Sequence, residues 1–157
     1  MGDTSNIYSV GVNTFQGCKS LKTINMPALI YTAWGSFADC TSLTTVGSLP
    51  KLLAVESLCF SGCTNLKSIG ITNFTTEIRL NAFTNDTSLT DVGDVSGVLK
   101  IADSAFQNCT SLPSVNLDKI TSIGDNAFNS CTALTSVGNT SNLTNIGSDA
   151  FSNCINL

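Results

Sequence analysis

The amino-acid sequence predicts an α/β solenoid, a right-handed superhelix of about seven coils of 22–23 residues each. Two observations support this prediction. The first is a phenylalanine that returns every 22 or 23 residues, at Phe15, Phe37, Phe60, Phe83, Phe106, Phe128 and Phe151. The second is the apolar segment that follows the first six copies, such as LPSVNL at residues 112–117. Chains with a repeat of this length and this apolar spacing fold as stacked coils, with one coil per repeat.

The segment after each phenylalanine predicts a short β-strand. In LPSVNL, the apolar residues Val115 and Leu117 alternate with polar ones, and a β-branched residue at the centre favours a strand. We expect the equivalent segments of successive coils to pair in parallel, so that they form one continuous sheet along one face of the solenoid.

On the other side of each coil we predict helical turns or irregular arcs. From Ser104 to Cys109 the buried residue types recur at separations of three and four, which fits a single helical turn capped by Asp103 or Ser104. An aliphatic residue eight positions before the phenylalanine continues the interior. In the third unit we expect Phe74 to fill this place, with a shift of one residue.

The sequence indicates a single domain, residues 1–157, in which each motif forms one coil and no linker separates the coils. Residues 1–9 then form an amino-terminal cap or a lead segment. The closing residues FSNCINL stop in the middle of a motif, so we expect the chain to be part of a longer protein. Approximate coil boundaries are 10–31, 32–54, 55–77, 78–100, 101–122 and 123–145, with a partial coil at 146–157.

A cysteine stands three residues after the phenylalanine in every copy except the fourth, where Asp86 replaces it. A thiol is small and commonly buried, so we expect the cysteines to fill narrow slots in the interior. Equivalent residues of neighbouring strands lie about 4.8 Å apart, wider than the ~3.8 Å between Cβ atoms that a disulfide prefers, which predicts free thiols. For Asp86, the sequence favours a partly exposed acceptor of turn amides over a buried carboxylate with an altered pKa.

The composition argues against catalysis and against several partner classes. Histidine is absent, which excludes Ser-His-Asp and Cys-His arrangements. Cys59 and Cys63 could begin a metal site, but no second pair or carboxylate cluster completes it. We therefore expect no enzyme activity, metal or cofactor. With 11% charged residues and a net charge of −4, the chain has no basic patch for nucleic acid or anionic membrane.

The repeated pattern A-F-x-x-C-x-x-L-x-x-V/I, with Ile-Gly before it at 123–124 and 146–147, resembles the BspA-type (treponemal) leucine-rich repeat family over residues 10–157. The resemblance implies a leucine-rich-repeat superhelix without catalytic residues, in bacterial surface or secreted proteins associated with adhesion. It also implies an extracellular or cell-surface location and a host or microbial surface or matrix protein as the partner. Asp86 and Thr32 depart from the pattern, which predicts less regular second and fourth coils.

Two surfaces are candidates for binding. The outward residues of the predicted sheet are small and polar, and many weak contacts along the repeats would add up to useful affinity. The alternative is a solvated face that only keeps the rod soluble. Tyr31 and Trp34, near the amino end, are better candidate anchors because aromatic residues dominate binding hot spots; an amino-terminal cap is their alternative role. The candidate sheet face comprises Thr23, Asn25, Thr45, Ser68, Asp91, Ser114, Asn116 and Ser136.

Together these features predict a non-catalytic protein-binding or adhesion module that is secreted or displayed on the cell surface. The alternative is a structural spacer in a larger multidomain protein, with no partner of its own. The sequence identifies neither the partner nor the oligomeric state.

Overall fold

The computed structural model describes residues 4–157, and these residues form a solenoid of parallel β-strands without a helix. The first three residues of the expected cap at 1–9 lie outside the described range. The strands are β1 (Thr23–Ile24), β2 (Thr45–Ser48), β3 (Ala54–Val55), β4 (Ser68–Ile71), β5 (Glu77–Ile78), β6 (Asp91–Gly93), β7 (Lys100–Ile101), β8 (Ser122–Ile123) and β9 (Asn145–Ile146).

These strands form two sheets that run along the solenoid. The first sheet has the order β1-β2-β4-β6, and the second has the order β3-β5-β7-β8-β9. Each strand pairs in parallel with its equivalent one coil further on, as Ile24 with Val46 and Ile78 with Ile101. The predicted parallel sheet is therefore present, and a second sheet, which the sequence did not predict, runs beside it.

The core is a set of rows in which identical positions of successive coils stack. The seven phenylalanine rings lie face to face, with centroids 5.2–5.6 Å apart and planes within 4–8° of parallel. The five inner rings are fully buried, while Phe15 and Phe151 are partly exposed. Offset stacking adds to the apolar area that each ring buries, so this row makes a large contribution to stability.

The predicted helical turn is wrong. Two residues of each arc, two before and two after the phenylalanine, have positive φ; in one coil they are Ser104 (φ 54) and Asn108 (φ 61). A right-handed helix cannot contain such residues, and the arc is a series of β-turns instead. Asp103 is consequently not a helix cap: its carboxylate accepts a hydrogen bond from the Asp125 amide of the next coil, at 3.0 Å.

Hydrogen bonds between coils explain why the arc is stable without a helix. The amides of Ser104, Phe106 and Asn108 donate to carbonyls of the next coil at 2.8–2.9 Å. The alternating amides close turns within the coil, as Gln107 does to the Ser104 carbonyl at 3.2 Å and Cys109 to the Phe106 carbonyl at 3.0 Å. Both sets of backbone groups are thus paired, as buried amides require.

The number of regular turns is also smaller than predicted. The longer sheet has five strands, so the solenoid has about five regular turns rather than seven coils. At the amino end only an isolated bridge joins Ser9 and Tyr31, and the second sheet begins after Thr32. The first sheet likewise ends after β6 with a single bridge between Ser114 and Ser136, because Pro113 has no amide to continue the ladder.

Two further expectations about individual residues need correction. Thr75, not Phe74, fills the interior place of the third unit: it is fully buried and its hydroxyl donates to the Leu52 carbonyl at 2.9 Å. Phe74 is 63% exposed. The coil that contains Asp86 keeps a regular backbone, since the Asp86 amide donates to the Phe83 carbonyl at 3.1 Å as the cysteines do in their coils.

Candidate binding surface

The outward face of the first sheet carries the eight polar candidates from the sequence. Thr23, Thr45, Ser68 and Asp91 follow one another in register along the sheet, and Ser114 and Ser136 continue the row. All eight are exposed except Ser68, which is half-buried. The eight side chains on this face offer hydroxyl, amide and carboxylate groups, and none of them is large and apolar. Asp91, Ser114 and Asn116 line a cavity on it.

The outward face of the second sheet is different in its amino-terminal half. Six large apolar side chains are exposed there, and we call them the aromatic patch: Tyr8, Tyr31, Trp34, Leu53, Leu80 and Leu99. Tyr31 is 54% exposed and Trp34 is 48% exposed. Both candidate anchors therefore point at least partly into solvent, although Tyr31 also pairs by its backbone with the terminal segment at Ser9.

Charged residues occupy the middle of the aromatic patch. Arg79 donates to the carboxylates of Glu56 and Glu77 at 2.7 and 3.1 Å. Tyr31 and Leu53 line a shallow cavity together with these three residues. A second depression, lined in part by Leu80 and Lys100, begins on the other side of Arg79. The patch thus combines apolar walls with a charged centre.

The carboxyl-terminal half of the same face is polar. At the positions seven before the phenylalanine, where Leu53 and Leu99 stand, the later coils carry Thr121 and Thr144. At the positions three before it, where Trp34 and Leu80 stand, they carry aspartate or serine. The aromatic patch is therefore a local feature and not a property of every repeat.

Sequence reasoning found Tyr31 and Trp34 but missed the three leucines and Arg79. These residues belong to the second sheet, which was not predicted, so nothing indicated that they share a face. A partial signal was present in the first five coils, where large apolar residues stand at most positions seven before the phenylalanine and, up to Leu80, at most positions three before it; Thr76 and Ser57 interrupt the two series.

The row of cysteines is a packing feature, as predicted. Five thiols each donate to the phenylalanine carbonyl of the preceding coil, at 3.0–3.2 Å. All seven cysteines are free; Cys18 is exposed and Cys154 is partly so. Burial raises the pKa of Cys131 to about 12 and also raises the pKa of Cys59, so these thiols stay protonated and unreactive at neutral pH.

Asp86 occupies the thiol position of the fourth copy and contradicts its sequence-based interpretation. It is fully buried, and neither carboxylate oxygen has a hydrogen-bond partner among the described residues. Burial raises the pKa of this carboxyl well above its ordinary value; the nearby Cys63 amide lowers the pKa to a smaller extent. That amide is already bonded to the Phe60 carbonyl at 3.0 Å, so it is not a turn donor left open for Asp86.

Residues 4–157 contain neither a metal-binding cluster nor a membrane-spanning helix. Within residues 4–157, no group of three or more His, Cys, Asp and Glu side chains could hold a metal ion, and Cys59 and Cys63 do not form part of one. The same residues contain no helix with the length and apolar character needed to cross a membrane.

The stacked coils, the parallel ladder and the repeated leucine define a leucine-rich-repeat solenoid. The chain belongs to the family described as the BspA type leucine rich repeat region, whose model matches it in six copies over residues 4–113 and 35–157. This confirms the resemblance found in the sequence. No curated protein sequence matches the chain.

Solved structures of bacterial proteins share this fold. A leucine-rich repeat protein from Bacteroides ovatus is similar with a TM-score of 0.81 and 29% identity, over 98% of this chain and 40% of that one. A leucine rich cell surface protein from Faecalibacterium prausnitzii has a TM-score of 0.71 and 22% identity, over 97% of this chain and 46% of that one. The T. pallidum leucine-rich repeat protein has a TM-score of 0.65 and 24% identity, over 87% of this chain and 78% of that one. The chain thus spans less than half the length of the first two.

Proposed function

We propose that this chain is a non-catalytic protein-binding or adhesion module of a secreted or surface-displayed protein. The observation that carries the proposal is the aromatic patch, where Tyr31 and Arg79 line one cavity and the exposed Trp34 follows three residues after Tyr31. Tyrosine, tryptophan and arginine are the residues that most often dominate binding energy at protein interfaces. Membership of the family supports the surface location, and the description of the F. prausnitzii protein agrees with it.

The rigid sheet beneath the patch favours binding. Tyr31 is held by a backbone bridge, and Glu77 and Lys100 are in register within β5 and β7. Side chains on paired backbone lose less freedom on binding than side chains on loops, so less of the interaction energy is offset by ordering at Tyr31, Glu77 and Lys100. Trp34 and Leu80 lie in the turns beside this paired backbone. The polar face of the first sheet would contribute weaker contacts, which gain strength only when many coils engage one partner.

A structural spacer is the second candidate function. The continuous stack of seven phenylalanine rings supports it, because such a stack suits a stiff rod that holds other domains apart. A spacer would bind no protein through either sheet face.

The test is direct binding of the purified chain to immobilised extracellular matrix proteins and to intact bacterial surfaces, measured by biolayer interferometry. For a partner found in this way, we expect Tyr31→Ser with Trp34→Ser to weaken binding by at least about 30-fold, the equivalent of ~2 kcal/mol for a hot spot. The matched control is Ser122→Ala with Thr144→Ala, in the polar half of the same sheet, and it should bind like the original chain.

Two results would contradict the proposal. Equal loss of binding in the patch variant and the control variant would show that the aromatic patch is not the contact surface. Absence of binding to every matrix protein and bacterial surface, by a chain with a native circular dichroism spectrum, would favour the spacer.

A further inference from the structure

We propose that Asp86 is held in the fold as a neutral carboxylic acid whose O–H donates to the carbonyl oxygen of Phe60, so that the contact between the coils of Phe60 and Phe83 depends on pH. The device would lie near the middle of the rod, at the same contact between coils that the Arg79–Glu56 ion pair of the aromatic patch crosses.

The row of thiols defines what the interior requires at this position. Cys63 donates to the carbonyl of Phe37, and Cys109 donates to the carbonyl of Phe83, each from one coil to the coil before it. Cys131 repeats the contact with Phe106. By the same register, the group at position 86 faces the carbonyl of Phe60. A thiol can donate there, and a protonated carboxyl can also donate, but a carboxylate cannot.

The surroundings of Asp86 provide nothing that would stabilise a charge. Its oxygens are buried and have no partner among the described residues. The titratable groups that face it are the thiols of Cys59 and Cys63 on the preceding coil and of Cys109 on the following coil. None of them is a cation. An isolated buried carboxylate carries a large desolvation cost, so the neutral form is the one that this site accommodates.

The sign of the pH effect follows from this preference. A carboxyl whose pKa is higher in the folded chain than in the unfolded chain binds its proton more tightly when folded. The contact is therefore fully present below the ordinary pKa of an aspartate. Its contribution to stability falls as the pH rises above that value and is lost as the pH passes the raised pKa of the folded state.

A local charge has a specific consequence in a solenoid. Because each coil contacts only its neighbours, the stability of a repeat protein is approximately a sum of coil and interface contributions. Ionisation of Asp86 would weaken one interface near the centre and leave the stacking on either side intact. The rod would then lose its cooperativity at this point before the terminal coils unfold.

The experiment compares urea unfolding of the whole chain across acidic to mildly alkaline pH for the original sequence, Asp86→Asn and Asp86→Cys. We expect the urea midpoint of the original chain to fall as the pH rises, and that of Asp86→Cys, which restores the thiol row, to change much less. Asp86→Asn, whose side chain does not ionise, should follow the cysteine variant in slope at acidic to neutral pH, below the range in which a thiol ionises, even if its midpoint is lower. Asp39→Asn removes an exposed carboxyl from a nearby part of the arc and should keep the slope of the original chain.

A direct reading of protonation complements the unfolding curves. With ¹³C-labelled aspartate, the side-chain carboxyl resonance missing from Asp86→Asn should remain at the shift of a neutral acid at a pH where exposed aspartates are ionised. Titration of that resonance in the ordinary aspartate range would overturn the proposal. So would pH slopes of the unfolding midpoint that are parallel in the original chain and in both Asp86 variants.

Discussion

The two sheets follow the same period, yet their outward faces have opposite chemistry. The first presents hydroxyls, amides and single carboxylates, whereas the amino-terminal half of the second presents tyrosine, tryptophan and leucine around Arg79. Inside the solenoid the rows repeat the same residue types on both sides, apart from Thr32, Thr75 and Asp86. The repeat therefore constrains what is buried, and the outer faces vary independently, which is where a partner can be selected.

Part of the contrast comes from the backbone. In the first sheet, glycines at positions 70 and 93 lie where the neighbouring strand approaches closely, and the pairing of β4 with its neighbours shifts register. Side chains would not fit at those points. The strands of the second sheet are two residues long and pair without a shift. Their outward positions hold residues such as Glu77 and Lys100, and the large apolar side chains lie in the segments that flank these strands.

The largest expected effect separates the inner rows from the outer faces. Phe106→Ala should lower the free energy of unfolding by about 3–5 kcal/mol, because a ring stacked on both sides and fully buried is replaced by a cavity. The measurement is urea unfolding followed by circular dichroism. Phe74→Ala is the matched control, since Phe74 is exposed, and it should change stability by less than about 0.5 kcal/mol. Equal losses in both variants would mean that the inner stack has no special role.

The sequence predicted the inner rows and the polar face of the first sheet, but not the second sheet, its face or the form of the arcs. Phe106, Cys109 and Leu112 are buried as their spacing indicated. The same spacing of three and four residues fits a helical turn and a pair of β-turns equally well, so periodicity alone could not decide. The missing signal lay two places before and two places after the phenylalanine, where most coils carry asparagine, aspartate or glycine, the residues that most readily adopt left-handed backbone.

The functional surface was less predictable for a related reason. Exposure of Leu53 and Leu80 depends on where the second sheet faces, and that sheet arises from two-residue strands that leave a weak pattern. The burial of Asp86 was misjudged because a lone aspartate in a loop usually faces water. The only indication that position 86 is buried comes from Cys63 and Cys109, the buried thiols at the equivalent positions of the two neighbouring coils.

A second prediction sharpens the backbone explanation of the contrast. Gly93 has φ 78, and a Cβ added to it would lie 2.4 Å from the carbonyl oxygen of Ile71. Gly93→Ala should therefore destabilise the chain by about 1–3 kcal/mol, through strain and displacement of β6. On the second sheet, Lys100→Ala in β7 removes an exposed side chain and should have little effect on the urea midpoint. If Gly93→Ala also left the urea midpoint unchanged, crowding of the backbone would not explain why the side chains on the outward face of the first sheet are small.

The smallest expected effect tests the charged centre of the aromatic patch. Arg79 pairs with Glu56 and Glu77, but its side chain is 45% exposed, so water and salt screen both pairs. Arg79→Ala should lower the free energy of unfolding by only about 0.2–1 kcal/mol, and less at high salt. Lys119→Ala, an exposed lysine outside the patch, is the control for the loss of one positive charge. A loss above about 2 kcal/mol that salt does not reduce would contradict this view and make Arg79 part of the structural framework. A small loss would leave this cation available for a partner, because a residue that contributes little to folding can be selected for binding instead.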